Sequence, residues 1–429
     1  MKTEIGHYVV DGKIYTSKFE AVMASKSSGK EIHWSFFDDI FSKVNWLEEP
    51  QLSIDELYRI RAQQIREKYD YVIVFCSGGA DSNNVIRTFL KNNIRVDEVM
   101  ALAPMSGLKN FEFTKSNLDE GNTISETKFA LFPILDEIKN ADPNIKITVN
   151  DFFEDIIKYK DAEWTYNSAG NIVTVLTSHF TDVLKFPHID KIIQQGKRIA
   201  LVYGSDKPII RIGATGGLFT VFSDSGINYL NMPTHREHSN VDRVLFYWSA
   251  DLPEMLVKQA HIVGKVITLP QYEFMRKYFE QRSSYESHGT LVDYIRNQVK
   301  RNESPITKSD IFNKFAPNKI TDTPPQLLYE GKSKYERAIV PFIYPTTYSK
   351  NLFQCQKVDA DAGLFTRDQQ WLHKLHGNSR ISEMVMSGLN DLYSSIPENF
   401  LNLNGTGMVY HFKAYKFGEF KNYVRKLNN

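Results

Sequence analysis

The stretch Tyr71-Val-Ile-Val-Phe-Cys-Ser-Gly-Gly-Ala-Asp-Ser82 has an apolar first half and a polar, glycine-containing second half. Its apolar first half predicts a buried, parallel β-strand. The segment after residue 82 predicts a helix, because apolar side chains recur there on one helical face: Val85, Ile86, Phe89 and Leu90. A strand, a glycine turn and a helix in this order are typical of an anion-binding site, since the amides of a helix N-terminus carry partial positive charge.

The residues of the turn have chemistry that suits a phosphate. Gly78 and Gly79 allow positive φ angles and a close approach of the backbone to a ligand. Ser77 and Ser82 add hydroxyl donors, whereas the carboxylate of Asp81 would repel a bare phosphate and is therefore predicted to hold Mg²⁺. The alternative is structural, because many α/β proteins place two glycines after a strand for tight packing.

The pattern Ser77-Gly-Gly-x-Asp-Ser82 resembles the PP-loop of the ATP pyrophosphatases, the adenine nucleotide α-hydrolase-like superfamily. No Gly-Lys-Ser/Thr follows, so it is not a Walker A loop. Members of the superfamily cleave ATP between the α- and β-phosphates and adenylate a substrate. The resemblance implies ATP and Mg²⁺ as cofactors and a nucleotide site formed by Ser77, Gly78, Gly79, Ala80, Asp81 and Ser82, and Ala103 is added to this site because it ends a later predicted strand. The chain also resembles uncharacterised PP-loop proteins of large tailed bacteriophages.

Composition limits the class of protein. The chain has 429 residues, a formal net charge of +1, and 28 Phe and 22 Tyr residues. The length allows two or three domains, and the balanced charge argues against a chain that coats nucleic acid by bulk charge. With only Cys76 and Cys355, neither a disulfide framework nor a Cys-rich zinc site is expected. We expect a cytoplasmic protein with no membrane segment.

Residues 61–265 alternate between predicted strands and helices. Further strands are predicted at Val99–Ala103, Ile145–Val149 and Ile199–Tyr203. This order predicts an α/β fold, a parallel sheet with helices on both faces that is Rossmann-like and, through the resemblance, HUP-like. Ligands of such sheets bind at the carboxyl ends of the strands, where residues 77–82, Ala103 and Gly204–Lys207 are expected.

The rest of the chain is predicted to form two other units. Residues 1–60 are expected to be a small α+β lobe, with a hairpin that turns at Asp11-Gly12, a short helix from Ser17, and a second helix that begins at Ser53. Residues 266–429 are expected to form a mainly helical domain that binds a substrate or partner and ends in a strand or hairpin between Met408 and Phe417.

A second set of polar residues follows the predicted strand Ile199–Tyr203, in Gly204-Ser-Asp-Lys-Pro208. Lys207 is predicted to neutralise the β- and γ-phosphates as a catalytic residue together with Asp81. Asp206 is predicted to join Asp81 as a metal ligand. The alternative is a plain turn, because Ser-Asp-x-Pro is ordinary turn chemistry.

Two weaker candidate sites and two structural features lie elsewhere. His235 and His238 have a spacing that permits metal binding, although a solvated loop explains them as well. The basic segment Gly331–Arg337 would meet an anion only if it folds over the nucleotide. Asp251 is predicted to cap a helix that has Pro253 in its first turn. Within that helix, Glu254 and Lys258 are predicted to form a surface pair.

The sequence therefore favours an AMP-forming ligase that resembles asparagine synthetase without its glutaminase domain. Such an enzyme adenylates a carbonyl or carboxylate oxygen, and ammonia or an amine then displaces AMP. Three alternatives stay open: a PP-loop enzyme that modifies a nucleotide or nucleic acid, a sulfonucleotide-reductase-like protein, and a non-catalytic nucleotide-binding module. The sequence around Cys355 lacks the reductase pattern, which disfavours the second. Neither the acceptor nor the oligomeric state follows from the sequence.

Overall fold

The computed structural model describes residues 6–16, 18–103, 131–151, 186–204, 209–212, 216–224, 239–269, 343 and 411–427. Its strands are β1 (His7–Val10), β2 (Lys13–Tyr15), β3 (His33–Ser35), β4 (Tyr71–Cys76), β5 (Glu98–Ala103), β6 (Lys146–Asp151), β7 (Ile199–Tyr203), β8 (Ile209–Ile212), β9 (Gly217–Ser223), β10 (Val241–Leu245) and β11 (Phe412–Glu419). Its helices are α1 (Lys18–Ser28), α2 (Asp38–Phe41), α3 (Ile54–Lys68), α4 (Ala80–Lys91), α5 (Phe132–Ala141), α6 (Pro187–Gln194), α7 (Pro253–Ile267) and α8 (Phe420–Leu427).

The central sheet has five parallel strands in the order β10-β7-β4-β5-β6. Helices flank it, so the predicted α/β, Rossmann-like core is confirmed. From β4 the chain adds β5 and β6 on one side, and then returns to add β7 and β10 on the other. The direction of strand addition reverses between β4 and β7, and this reversal is the point where such sheets open a crevice for ligands.

The sequence explains the strand at the centre of this sheet and the two helices beside it. In β4 every residue from 72 to 76 is buried, as expected for a strand covered on both faces. Helix α3 begins with a capping box, in which the Ser53 hydroxyl accepts from Glu56 N and the Glu56 carboxylate accepts from Ser53 N. In α4, Val85, Ile86 and Phe89 are buried, as their spacing predicts.

Two small antiparallel sheets lie beside the main one. The first has the order β2-β1-β3 and contains the predicted hairpin, where Asp11 and Gly12 adopt φ angles of 50° and 76°. The second has the order β11-β9-β8, and its strand β11 confirms the predicted C-terminal strand. The buried Asp224 joins the sheets, because its carboxylate contacts Tyr8, Lys18 and His411.

Two local predictions about α7 are wrong. Leu252 occupies the N-cap of this helix and Pro253 its first turn, whereas Asp251 pairs with Arg61. Lys258 bonds to Glu49 and to the Pro50 carbonyl instead of pairing with Glu254, because the segment before α3 packs beside α7. Helix α6 has a proline, Pro187, as its first residue. In the described part of the chain, no helix has the length and apolar character needed to cross a membrane.

Candidate functional site

The turn of residues 77–82 follows β4 at the carboxyl edge of the sheet, beside β7. Gly78 is buried and adopts φ 83°, a left-handed conformation that favours glycine over other residues. Gly79 is the N-cap of α4, and the first intrahelical bond runs from Asn83 N to Gly79 O at 3.0 Å. The amides of Ala80, Asp81 and Ser82 precede this bond, so the helix itself provides them with no acceptor.

The two serines of the turn hold its backbone together. The Ser82 hydroxyl accepts from Ser77 N at 3.2 Å, and the Ser77 hydroxyl accepts from Gly79 N at 3.2 Å. The two hydroxyl oxygens are 3.3 Å apart. The sequence predicted both as ligand donors, but the structure shows Ser82 buried within the bonding of the turn, whereas Ser77 is exposed. Ser77 thus retains the accessibility that a ligand contact requires.

Asp81 lies in the first turn of α4 and is half-buried. A carboxylate there is favourable for the helix dipole, and this gives Asp81 a structural alternative to metal binding. Among the described residues, no group of three or more His, Cys, Asp or Glu side chains is arranged to hold a metal ion. The predicted second ligand, Asp206, lies outside those residues.

Gly204 brings the end of β7 against the turn. A Cβ atom at this position would lie 3.0 Å from Ser82 Cα and 3.1 Å from the carbonyl carbon and oxygen of Asp81. Those atoms are backbone, so a larger residue at 204 would displace the start of α4. The sequence placed Gly204 in a candidate loop, and the structure shows that its lack of a side chain permits this contact.

A buried tyrosine, which the sequence did not single out, contacts the same helix. Tyr247 follows β10 and is 0% exposed. Its hydroxyl donates to Asp81 O at 2.8 Å and accepts from Asn84 Nδ2 at 3.0 Å. In the sequence, the one indication of such a partner was Asn84, a polar residue next to the apolar positions of α4. The structure shows that Asn84 is fully buried. Such a residue requires a polar partner.

Arg61 fixes the segment that carries Tyr247. This arginine of α3 is 4% exposed, and its guanidinium donates to Leu245 O at 3.0 Å and to Phe246 O at 3.3 Å. A third bond of 3.2 Å reaches Asp251. Desolvation lowers the pKa of Arg61, and the nearby Asp251 opposes that shift. The carbonyls at the end of β10 are therefore satisfied by a charged donor from another element.

The remaining predicted site residues divide into two groups. Ala103 ends β5, two residues past Ala101, the partner of Cys76, so it lies at the same sheet edge as the turn. The others lie outside the described residues: Asp206, Lys207, His235, His238 and the segment 331–337. Their predicted roles stay predictions.

The structure also contains a cavity of about 610 Å³ away from the turn. Residues from 39–51 and from the start of α7 line it, and none of residues 77–82 does. Its lining has four acidic side chains, Asp39, Glu48, Glu49 and Glu254, and one basic side chain, Lys43, so negative charge prevails there. The turn is therefore the better candidate for an anion, because the amides of a helix N-terminus and a glycine turn are suited to one.

Comparison with known proteins gave no relative. No family model, no curated protein and no solved structure shows significant similarity to this chain. The candidate site must therefore be interpreted from its own geometry.

Proposed function

We propose that this chain is an AMP-forming enzyme of the PP-loop type, which binds Mg-ATP at residues 77–82. The observation that supports this proposal is the turn itself. Gly78 has a left-handed backbone, and the first amides of α4 follow it at the strand reversal of a parallel sheet. Backbone amides at such a helix N-terminus bind phosphate groups in many α/β proteins.

The residues present fit a triphosphate. Gly78 and Gly79 offer no side chain that would obstruct a phosphate, and the exposed Ser77 offers a hydroxyl. Asp81, with Asp206 as the proposed second ligand, would hold Mg²⁺, and the metal would supply charge neutralisation on the phosphate oxygens. Lys207 is proposed to add a positive charge at the β- and γ-phosphates.

The proposed reaction begins with attack of an acceptor oxygen, from a carbonyl or carboxylate, on the α-phosphorus of ATP. The bond from that phosphorus to the bridging oxygen breaks, pyrophosphate leaves, and the acceptor becomes an adenylate. Ammonia or an amine then attacks the activated carbon and displaces AMP. The protein's part is to orient the phosphates with the turn and to stabilise the charge that develops on them.

A non-catalytic nucleotide-binding module is the second candidate. It is favoured by the composition of the turn, because Asp81 is the one charged residue among residues 77–82. Such a module would bind the nucleotide through the amides and would need neither a metal pair nor an acceptor site.

Two measurements separate these candidates. Calorimetry with α,β-methylene-ATP and Mg²⁺ should give a dissociation constant between low micromolar and millimolar, a binding free energy of about 4–8 kcal/mol. Thin-layer analysis of labelled ATP, with candidate acceptors that include nucleotides and nucleic acid, should then show AMP and pyrophosphate. Formation of ADP, or no binding by folded protein, would refute the proposal, and binding without turnover would favour the module.

A further inference from the structure

We propose that Tyr247 is a positioning residue, which fixes the anion-binding turn and strengthens one of its amide donors. This inference rests on the proposed function for its ligand. Its geometric basis is a path of two hydrogen bonds. Asn84 Nδ2 donates to the Tyr247 hydroxyl at 3.0 Å, and that hydroxyl donates to Asp81 O at 2.8 Å. Both side chains are 0% exposed, so water does not compete for these bonds.

The acceptor in this path belongs to the peptide unit that contains a proposed phosphate donor. The carbonyl of Asp81 and the amide of Ser82 are two ends of one peptide group. A carbonyl oxygen has two lone pairs, so Asp81 O can accept from Tyr247 without losing its helical bond. Because hydrogen bonds in a chain polarise one another, a donor at the carbonyl makes the Ser82 N–H a stronger donor to an anion.

The position of Tyr247 is itself fixed. Arg61 holds the two carbonyls that precede it, at Leu245 and Phe246. The tyrosine ring packs edge-on against the rings of Phe246 and Tyr58, with centroids 5.2 Å and 5.9 Å away. The hydroxyl therefore reaches Asp81 from a rigid support, and α4 is held from the end of β10 as well as from Gly204.

Tyr58 offers a matched control in the same cluster of rings. Its hydroxyl donates to the Ile343 carbonyl at 2.7 Å and accepts from Gln259 Nε2 at 2.8 Å. It is 1% exposed. Each tyrosine thus joins a backbone carbonyl to a side-chain amide, but only the bond of Tyr247 ends on α4. Replacement by phenylalanine removes the same group from each and leaves the ring in place.

The first test uses amide hydrogen exchange of the ligand-free protein, so its result is independent of nucleotide binding. Tyr247→Phe should raise the exchange rate of the amides of residues 83–85, the first amides with acceptors inside α4, by about tenfold relative to Tyr58→Phe, since it removes a bond to the first turn of that helix. Equal exchange at residues 83–85 in the two variants would overturn the positioning role. A merely structural tyrosine would alter global stability and would not alter this segment selectively.

The second test is calorimetry with Mg²⁺ and α,β-methylene-ATP. Tyr247→Phe should weaken binding by about three- to tenfold, and Tyr58→Phe by less than about twofold. Equal loss in both variants would refute the strengthened donor. If the wild-type protein does not bind, the proposed function fails, and the exchange experiment still decides the role of Tyr247.

A second variant keeps the inference testable if Tyr247→Phe fails to fold. Asn84→Leu preserves approximate volume and removes the first donor of the path, but leaves Tyr247 its bond to Asp81. We expect it to weaken binding of the same analogue by about two- to threefold. Unchanged affinity in this variant would overturn the strengthened donor, because loss of the first bond would then have no effect at the Ser82 amide.

Discussion

The amino and carboxyl edges of the parallel sheet differ in how their polar groups are used. At the amino edge, buried carboxylates are bonded to other side chains of the protein. At the carboxyl edge, the turn of residues 77–82 has backbone amides, hydroxyls and the half-buried Asp81, arranged around glycines. This difference indicates that the first edge stabilises the fold, whereas the second is suited to a ligand.

Two neighbouring acids illustrate the amino edge. Asp97 is nearly fully buried, and its Oδ2 accepts from Arg66 at 2.6 Å and from Val72 N at 2.8 Å. Glu98 is 0% exposed and accepts hydrogen bonds from the hydroxyls of Tyr71 and Thr148. Burial, with the charge of Glu98, raises the pKa of Tyr71, so this phenol remains a hydrogen-bond donor.

The largest expected effect is on stability, at the amino edge. Asp97→Ala removes a buried charge and leaves Arg66 Nη1 and Val72 N without the acceptor that they share, so the free energy of unfolding should fall by about 3–5 kcal/mol. Urea denaturation measures this loss. The control Asp55→Ala breaks an exposed pair with Lys91 and should cost at most about 1 kcal/mol.

The same variant tests whether the two edges are independent. Folded Asp97→Ala protein should bind Mg²⁺ and α,β-methylene-ATP with wild-type affinity, because the substitution lies at the opposite end of the strands. A selective loss of nucleotide binding, with little loss of stability, would show that the comparison between the edges is wrong.

The next effect is expected at the carboxyl edge. Asp81→Asn keeps the shape of the side chain and removes its charge, so turnover should fall by about a hundredfold, which corresponds to about 3 kcal/mol. The melting temperature should change little. Asp190→Asn is a matched control, since Asp190 also lies in the first turn of a helix, is exposed, and is far from residues 77–82 in the sequence. Retained activity with a large drop in melting temperature would assign Asp81 a structural function.

Much of the fold followed from local patterns. Apolar runs predicted β4, β5, β6 and β7, and the Asp-Gly turn predicted the first hairpin, because each signal arises from residues close together in sequence. Boundaries that depend on distant partners were less predictable. Asp251 has the chemistry of a helix cap, but Arg61 of α3 binds its carboxylate and Leu252 becomes the N-cap instead.

The candidate site was predictable only in part for the same reason. The glycine turn could be identified because residues 77–82 are contiguous. Tyr247 could not, since 166 positions separate it from Asp81 and no periodicity connects them. Ser82 was assigned by residue type to a ligand, whereas its hydroxyl bonds within the turn. Short polar side chains often bond to nearby backbone in this way.

The smallest expected effect concerns Lys207. It tests whether the proposed ligand site at the carboxyl edge includes residues that follow β7 as well as those that follow β4. Gly204 packs so closely against α4 that a Cβ atom at this position would touch the backbone of Asp81 and Ser82. Lys207 follows Gly204 by three residues, and three residues of extended chain span about 11 Å at most, which is compatible with the proposed role of its ammonium group at the turn. An ammonium group there would offset the repulsion between Asp81, Asp206 and a triphosphate.

Lys207→Ala should weaken nucleotide affinity or turnover by about 1–3 kcal/mol, as for loss of a charge-assisted hydrogen bond. Lys207→Arg should restore only part of this, because a planar guanidinium does not replace a compact ammonium. Calorimetry with the methylene analogue measures the affinity, and Lys197→Ala, which precedes β7 at the amino edge, is the control. An experimental structure in which the Lys207 ammonium lies well over about 10 Å from Gly78 and Gly79, roughly a Debye length, and points away would assign Gly204–Pro208 to a plain turn.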